Sequence, residues 1–225
     1  MFKTSAVTIR RDLQVLEERG AIKRVHGGAI SHQALYSGLA LSEKEKIKIN
    51  EKERIAGFAS GLVKRGDVII IDSGSTCLKF AENLKGLSDI TVICNSLKVA
   101  TVLAKSEIKV ILTGGEMDKD SFTLFGPLAN ITLQNISADK LFMGIDSIDL
   151  KAGLTTPDIY EARTCHEMME LANEKILLAD SSKFGRRSLA VVNKVDSLDK
   201  IITDNGLSEE EREKYTSKGI ELIIV

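Results

Sequence analysis

From residue 67 onwards, short runs of β-branched residues alternate with segments in which apolar residues recur at helical spacing. The runs predict strands over 67–71, 90–94, 109–112, 140–144, 175–179, 200–202 and 221–225. The segments between them predict helices over 76–84, 97–104, 127–134, 157–172 and 208–217. Near-continuous apolar strands separated by helices are typical of a parallel sheet covered on both faces. The pattern therefore predicts an α/β fold with a parallel sheet.

The N-terminal segment follows a different pattern. Ile9, Leu13 and Leu16 recur at a spacing that predicts a short amphipathic helix. Residues 21–30 then predict two short strands around a Gly-Gly turn. A charged helix is predicted over 42–64. The chain is therefore expected to consist of a small helix-plus-hairpin unit and a larger α/β unit.

Composition places the chain among soluble globular proteins. Of its 225 residues, 43% are hydrophobic and 28% are charged, and the mean hydropathy is close to zero. No apolar run reaches the roughly 20 residues that span a bilayer, and no secretory apolar segment opens the chain, so we expect a cytoplasmic protein with no membrane partner. Three scattered cysteines predict neither a disulfide framework nor a metal site, and we expect no cofactor.

Charge is distributed unevenly between the two predicted units. The net charge of the chain is −1, but the first 32 residues hold six basic and three acidic side chains, which makes that segment +3. On the predicted helix, Thr8, Arg10 and Arg11 lie on the solvent face beside the basic hairpin. A helix fits the major groove of DNA, and arginine pairs with guanine or phosphate. The alternative is a solvated helix with ordinary surface arginines.

Polar loops follow five of the predicted strands. They are 72–76, 95–96, 113–116, 144–146 and 180–183. The carboxyl ends of parallel strands share one edge of a sheet, so these loops are expected to converge on a ligand crevice. In the first loop, Ser73-Gly74-Ser75-Thr76 precedes a helix, an arrangement that holds phosphate through hydroxyls and backbone N–H groups. Taken singly, each loop is also compatible with an ordinary turn or helix cap.

Two sets of motifs, one in each predicted unit, resemble those of one known protein family. In the small unit, 8–13 (Thr-Ile-Arg-Arg-Asp-Leu) and 23–29 (Lys-Arg-Val-His-Gly-Gly-Ala) resemble the recognition helix and wing of DeoR-type transcriptional repressors. The larger unit resembles the DeoR-type sensor domain over nearly its full length, through motifs at 72–76, 95–97, 112–116, 126–127, 139–144, 153–156, 161–162 and 180–185. The resemblance implies a winged helix-turn-helix that binds operator DNA, and a ribose-5-phosphate isomerase-like sensor domain whose effector is a phosphorylated sugar.

The resemblance also implies site residues, carried over by matching position. The DNA-binding candidates are Thr8, Arg10, Arg11, Lys23, Arg24 and His26. The effector-binding candidates are Asp72, Ser73, Gly74, Ser75, Thr76, Asn95, Gly114, Gly115, Asp146, Glu161 and Lys183. No catalytic residue is implied.

The implied domains are a partial winged helix-turn-helix over 1–32, a linker over 33–53 and a sugar-phosphate sensor over 54–225. Family members have a further helix and a half upstream, of which residues 2–7 are present here. We therefore expect this chain to bind DNA weakly and without sequence preference, through phosphate contacts. Operator symmetry usually mirrors protein symmetry, so we also expect a dimer or tetramer.

The implied kinship with isomerases leaves an aldose–ketose isomerase as the alternative. Such an enzyme needs a carboxylate to move a proton and a cation for the developing enediolate. Asp146, Asp149 and Glu161 fit the first requirement. The lysine followed by a glycine run that is typical of the isomerase is replaced by Lys-Ala-Gly-Leu at 151–154. The sequence therefore favours a sugar-phosphate-responsive repressor over an enzyme.

Overall fold

The structure of the chain is a computed structural model that describes residues 6–18, 22–25, 28–31 and 39–225. It forms two compact units, Met1–Leu39 and Ala40–Val225. The second unit thus includes residues 40–53, which the sequence analysis assigns to the linker. None of the described helices is both long enough and apolar enough to cross a membrane.

The first unit contains a helix and a pair of strands in its described residues. Helix α1 (Ala6–Glu18) precedes β1 (Ile22–Val25), which pairs antiparallel with β2 (Gly28–Ser31). The predicted helix and the two predicted strands are therefore confirmed. His26 lies outside the described residues.

The second unit is built on a parallel sheet with helices on both faces. Its strands are β3 (Val68–Ile71), β4 (Thr91–Cys94), β5 (Lys109–Leu112), β6 (Glu116–Met117), β7 (Leu124–Phe125), β8 (Ala138–Met143), β9 (Ser147–Asp149), β10 (Gly153–Thr156), β11 (Ala172–Leu178), β12 (Ala190–Asn193), β13 (Lys200–Thr203) and β14 (Glu221–Ile224). Its helices are α2 (Leu41–Lys44), α3 (Ile49–Ser60), α4 (Ser75–Leu84), α5 (Leu97–Leu103), α6 (Pro127–Leu133), α7 (Ile159–Leu171) and α8 (Glu209–Thr216).

The main sheet has seven strands in the order β14-β13-β11-β8-β3-β4-β5. Every neighbouring pair in it is parallel. These are the seven strands that the sequence predicts, with ends displaced by no more than three residues. The predicted α/β fold with a parallel sheet is therefore confirmed.

Two hydrophobic cores lie on opposite faces of this sheet, because successive side chains of a strand point to opposite sides. On β3, Ile69 and Ile71 enter a core formed with α3, α4 and α5, whereas Ile70 enters a core formed with α6, α7 and the small strands β9, β10 and β12. All three are fully buried. Burial of one such side chain stabilises a fold by about 1.5–3 kcal/mol. The central strands are consequently fixed from both sides.

The antiparallel elements are not predicted by the sequence pattern. They are a sheet of order β12-β10-β9 and the hairpin of β6 and β7. Their strands have two to four residues, too few for an alternating pattern to stand out. The sequence of β10 is Gly-Leu-Thr-Thr, yet all four residues are buried between β9, β12 and α7. Tertiary contacts rather than local propensity determine this conformation.

The prediction of a single helix over 42–64 is wrong, because the chain forms α2, a turn and then α3. Lys48 in the turn has a φ of 55°, in the left-handed region. The break is explained by Lys52, which is 4% exposed and donates hydrogen bonds to the carbonyls of Lys44 (2.5 Å) and Ile47 (2.6 Å). A continuous helix would use those carbonyls for N–H groups four residues ahead.

Candidate functional site

The direction of strand order reverses between β3 and β8. From β3 the chain adds β4 and β5 on one side, and from β8 it adds β11, β13 and β14 on the other. Ligands of open α/β sheets bind at the carboxyl ends of the strands beside such a reversal. The two strand ends approach closely, since a Cβ at Gly144 would lie 3.1 Å from the carbonyl oxygen of Ser73. The switch-point site is our name for Lys44, Asp72–Thr76, Asn95, Asp146, Thr156, Glu161 and Lys183.

Asp72, the first residue after β3, is a buried carboxyl group that is 3% exposed. Asn95 Nδ2 donates a hydrogen bond to its Oδ1 at 3.1 Å, and the Cys165 thiol lies 3.7 Å from its Oδ2. Burial raises the pKa of Asp72 to about 6, although hydrogen bonds from Ser73 and Asn95 oppose the rise. Asn95 is itself fully buried, and its Oδ1 has no hydrogen-bond partner among the described residues.

Two further carboxyl groups meet at the Thr156 hydroxyl. Thr156 Oγ1 lies 2.8 Å from Glu161 Oε2 and 3.3 Å from Asp146 Oδ2. Burial, followed by repulsion from Asp146 and Asp72, raises the pKa of Glu161 to about 7. Near neutral pH this side chain therefore populates both the form that donates and the form that only accepts hydrogen bonds.

Two lysines balance part of this negative charge. Lys44 Nζ lies 2.6 Å from Asp146 Oδ1. Burial opposes ionisation of Asp146, but the attraction of Lys44 and Lys183 lowers its pKa below the ordinary value. Burial in turn lowers the pKa of Lys183, against the opposing attraction of Asp146 and Asp180. The site thus combines three carboxyl groups with two ammonium groups.

The loop between β3 and α4 presents hydroxyls and N–H groups at a helix N-terminus. Ser73, Ser75 and Thr76 are buried, and their hydroxyls make no hydrogen bond to another described residue. Gly74 precedes the first turn of α4 with a φ of 104° and provides no side-chain cap. The orphan N–H groups of that first turn carry a partial positive charge.

Gly114 and Gly115 follow β5, which is two strands away from β3 in the sheet. Gly115 has a φ of 111°, and a Cβ there would lie 2.4 Å from the carbonyl oxygen of Phe125. The close approach of β7 therefore accounts for a glycine at this position. Five of the predicted residues interact with one another at the switch point, through direct contacts or through electrostatic attraction and repulsion. They are Asp72, Asn95, Asp146, Glu161 and Lys183.

Sequence reasoning missed two members of the site, Lys44 and Thr156. Thr156 lies within the 153–156 motif, which was quoted for the family resemblance but assigned no role. Lys44 lies in a run of alternating charges that has the pattern of a solvated helix. No local signal separates it from its neighbour Lys46, which is exposed.

The predicted DNA-contacting residues of α1 lie at its surface. Thr8, Arg10 and Arg11 are exposed, while Ile9, which the spacing assigns to the apolar face, is 41% exposed. Lys23 and Arg24 lie in β1. The helix therefore presents the side chains that direct readout or phosphate contact requires.

Comparison with known proteins identifies the family. The family model described as the DeoR C terminal sensor domain matches residues 47–205. The chain belongs to the DeoR family. A second model, the DeoR-like helix-turn-helix domain, matches residues 1–34. Both predicted resemblances are therefore confirmed.

Several curated DeoR-family relatives align along almost all of the chain. A putative aga operon transcriptional repressor of Escherichia coli O157:H7 is 34% identical over 100% of this chain and 85% of its own length. The HTH-type transcriptional regulators GlpR of Haloferax volcanii (35%, covering 97% and 86%) and GolR of Listeria innocua (38%, covering 96% and 85%) are similarly close. Among solved structures, ribose 5-phosphate isomerase A of Methanocaldococcus jannaschii matches 61% of this chain and 55% of its own, with a TM-score of 0.46 and 22% identity.

The family models and the curated relatives decide between the two functions that the sequence left open. The DeoR-family relatives are named as transcriptional regulators or repressors. A DeoR-like helix-turn-helix precedes the sensor domain in this chain. The protein is therefore a DNA-binding transcriptional regulator rather than an isomerase.

The raised pKa of Glu161 predicts that the stability of the protein depends on pH. That pKa is about 7 in the folded protein against an ordinary value of 4.5, so the folded state binds more protons than the unfolded state between these values. The free energy of unfolding should therefore fall as pH rises from about 4.5 to 7, by on the order of 2 kcal/mol from this group. Urea unfolding across this range should show a smaller fall for Glu161→Gln than for wild type.

The matched control is Glu170→Gln, since Glu170 is an exposed residue of the same helix. The raised pKa of Asp72 also makes the free energy of unfolding fall with rising pH, but at lower pH. The contribution of Glu161 is therefore the difference in this pH dependence between Glu161→Gln and wild type. A Glu161→Gln variant with the wild-type pH dependence would contradict the assignment.

Proposed function

We propose that this DeoR-family protein is a cytoplasmic repressor of a sugar-catabolism operon, controlled by a phosphorylated sugar bound at the switch-point site. The observation that carries the proposal is the convergence, beside the strand reversal, of a helix N-terminus with buried hydroxyls and of three carboxyl groups, of which Asp72 is buried and Asp146 and Glu161 are half-buried. A sugar phosphate carries a dianion, which suits the helix N-terminus, and hydroxyls, which suit the carboxyl groups. The relatives named as repressors support the regulatory role.

The phosphate is assigned to the loop from Ser73 to Thr76. A dianion there receives hydrogen bonds from the N–H groups of α4 and from hydroxyls that have no other described partner. Lys183, whose charge already interacts with Asp146, supplies a cation at the same edge of the sheet. Backbone N–H groups and one cation are a typical combination for phosphate.

The sugar hydroxyls are assigned to the acidic part of the site. Asp72, Asp146 and Glu161 accept hydrogen bonds from hydroxyls but repel an anion. Asn95 Oδ1, buried and without a described partner, offers a further acceptor. Gly114 and Gly115 contribute backbone groups from the end of β5.

A sugar phosphate should stabilise the protein, and the free sugar should not. A ligand that binds only the native state at a hundredfold over its Kd adds about 2.7 kcal/mol. We expect one member of a panel of pentose and hexose phosphates to raise the melting temperature. Ser75→Asp should abolish the shift by placing a like charge in the loop, and Lys183→Ala should abolish it by removing the cation. Differential scanning fluorimetry measures both.

The controls are Ser88→Asp and Lys85→Ala, which make the same changes at exposed positions. Both should keep the wild-type shift. The assignment is wrong if free sugars, nucleotides or amino acids raise the melting temperature and no sugar phosphate does. It is also wrong if Ser75→Asp leaves binding unchanged. Recovery of unaltered sugar phosphate after incubation separates a sensor from an isomerase.

DNA binding is assigned to α1 and the hairpin strands. Arg10→Ala and Arg11→Ala should each weaken binding to a short labelled duplex, and a lost phosphate contact should reduce the salt slope by about 1. Fluorescence anisotropy between about 50 and 200 mM salt measures both effects. The control is Lys85→Ala, at an exposed position of the sensor unit. The assignment is wrong if Arg10→Ala and Arg11→Ala bind the duplex with the same affinity as this control.

Self-association is the remaining part of the proposal, because paired DNA-binding units match paired half-sites. We propose a dimer or tetramer formed through the sensor unit. Four exposed apolar side chains on the neighbouring helices α6 and α7 support an interface there: Leu128, Ile131, Ile159 and Tyr160. Such clusters mark interaction sites.

Light scattering at tens of micromolar should give the mass of a dimer or tetramer for wild type, and Leu128→Lys should lower it. Leu189→Lys changes an equally exposed residue before the edge strand β12 and should leave the mass unchanged. A monomer mass for wild type would contradict the proposal. If Leu189→Lys lowers the mass and Leu128→Lys does not, the interface involves β12 instead.

A further inference from the structure

The first residues of the second unit lie along the carboxyl edge of the sheet, and we call residues 40–48 the strap. The Leu41 N–H donates a hydrogen bond to the carbonyl of Asp120 at 2.9 Å, in the turn between β6 and β7. That hairpin rests on the end of β4, because Ser96 and Thr123 form a β-bridge. One end of the strap is therefore fixed near the ends of β4 and β5.

The other end of the strap reaches the far side of the strand reversal. Lys44 Nζ lies 2.6 Å from Asp146 Oδ1, just beyond β8. In the sheet, β3 lies between β4 and β8. Neighbouring strands are about 4.8 Å apart, so the strap spans about 10 Å and passes the end of β3. Residues 73–76, the proposed phosphate loop, begin at that strand end.

Polar contacts dominate the attachment of the strap. Lys98 Nζ lies 2.5 Å from Glu45 Oε1, and Leu41 is the buried apolar side chain of this fully described segment. Behind it, buried Lys52 holds the carbonyls of Lys44 and Ile47 in the turn that leads to α3. The strap is thus attached firmly by Leu41 at one end and by its C-terminal turn at the other, and by exchangeable polar contacts between them. Segments with few buried apolar contacts open most readily.

We propose that Lys44 is a second cationic ligand of the effector phosphate and that the strap closes over the bound effector. The inference rests on the proposed function of the switch-point site. In the structure, Lys44 is paired with Asp146. A phosphate dianion in the loop from Ser73 to Thr76 offers the ammonium group a second, more highly charged partner, and sugar hydroxyls replace Lys44 as donors to Asp146.

The consequence is a connection between the effector site and the DNA-binding unit. The chain that precedes the strap leads to the helix-turn-helix match at residues 1–34. An effector that prefers the closed strap shifts its population, and the shift is limited by the difference in affinity for the two positions. The strap thereby reports effector occupancy to the segment that joins the two units.

Lys44→Gln and Lys46→Gln test this assignment, because both residues lie on the strap and Lys46 is exposed. The probes are ribose 5-phosphate, glucose 6-phosphate, fructose 6-phosphate and inorganic phosphate, each titrated by calorimetry into the full chain. For the sugar phosphate that binds wild type most tightly, we expect at least tenfold weaker binding by Lys44→Gln. We expect Lys46→Gln to match wild type and Lys44→Arg, which keeps the charge, to recover most of the affinity.

Hydrogen exchange of the strap amides provides the second readout. The same sugar phosphate should slow exchange of the Leu41 and Glu45 amides at least fivefold in wild type and Lys46→Gln, but not in Lys44→Gln. The inference is wrong if Lys44→Gln binds the sugar phosphate with wild-type affinity. It is also wrong if the sugar phosphate leaves hydrogen exchange of the strap amides unchanged. If Ser75→Asp still abolishes binding in that case, the proposed function stands without the strap. If no sugar phosphate binds wild type, the proposed function fails and the inference fails with it.

Discussion

Ile69, Ile70 and Ile71 bury the central strand β3 on both faces of the sheet, and this two-sided burial dictates where polar chemistry lies. Helices cover the faces, so side chains along the strand must be apolar. Polar groups gather where the strands end, and the reversal between β3 and β8 brings several of them together at one such edge. The site is thus a consequence of how the sheet is covered.

Charge in the switch-point site is only partly balanced. Asp146 pairs with Lys44, whereas Asp72 and Glu161 have neutral hydrogen-bond partners and raised pKa values, about 6 and about 7. Removing carboxylates from water without a cation is unfavourable, and protonation is the usual response. Hydroxyl donors of a ligand stabilise the ionised form instead. The two carboxyl groups therefore make the fold less stable than a neutral core of the same size would, and the proposed polyhydroxylated effector would offset the difference.

The sequence predicted the parts of this arrangement that have a local signal. Runs such as Val68–Ile71 identify strands, and parallel pairing then brings Asp72, Asn95 and Asp146 to one edge whatever the details of packing. Lys44 had no such signal, because a lysine among alternating charges has the same pattern whether it is solvated or paired with a residue 102 positions away. Lys52 was missed for the same reason, although its burial decides where α2 ends.

The strap differs from the central strands in the size of the energies that hold it. A hydrogen bond contributes about 0.5–1.5 kcal/mol net, and a partly exposed ion pair about 0–1 kcal/mol. The left-handed conformation of Lys48 offsets about 1–2 kcal/mol of that total. Coupling between two ligand sites is typically about 1–3 kcal/mol, which is of the same order. A single charged contact is therefore sufficient to shift the strap, whereas movement of β3 would require exposing both cores.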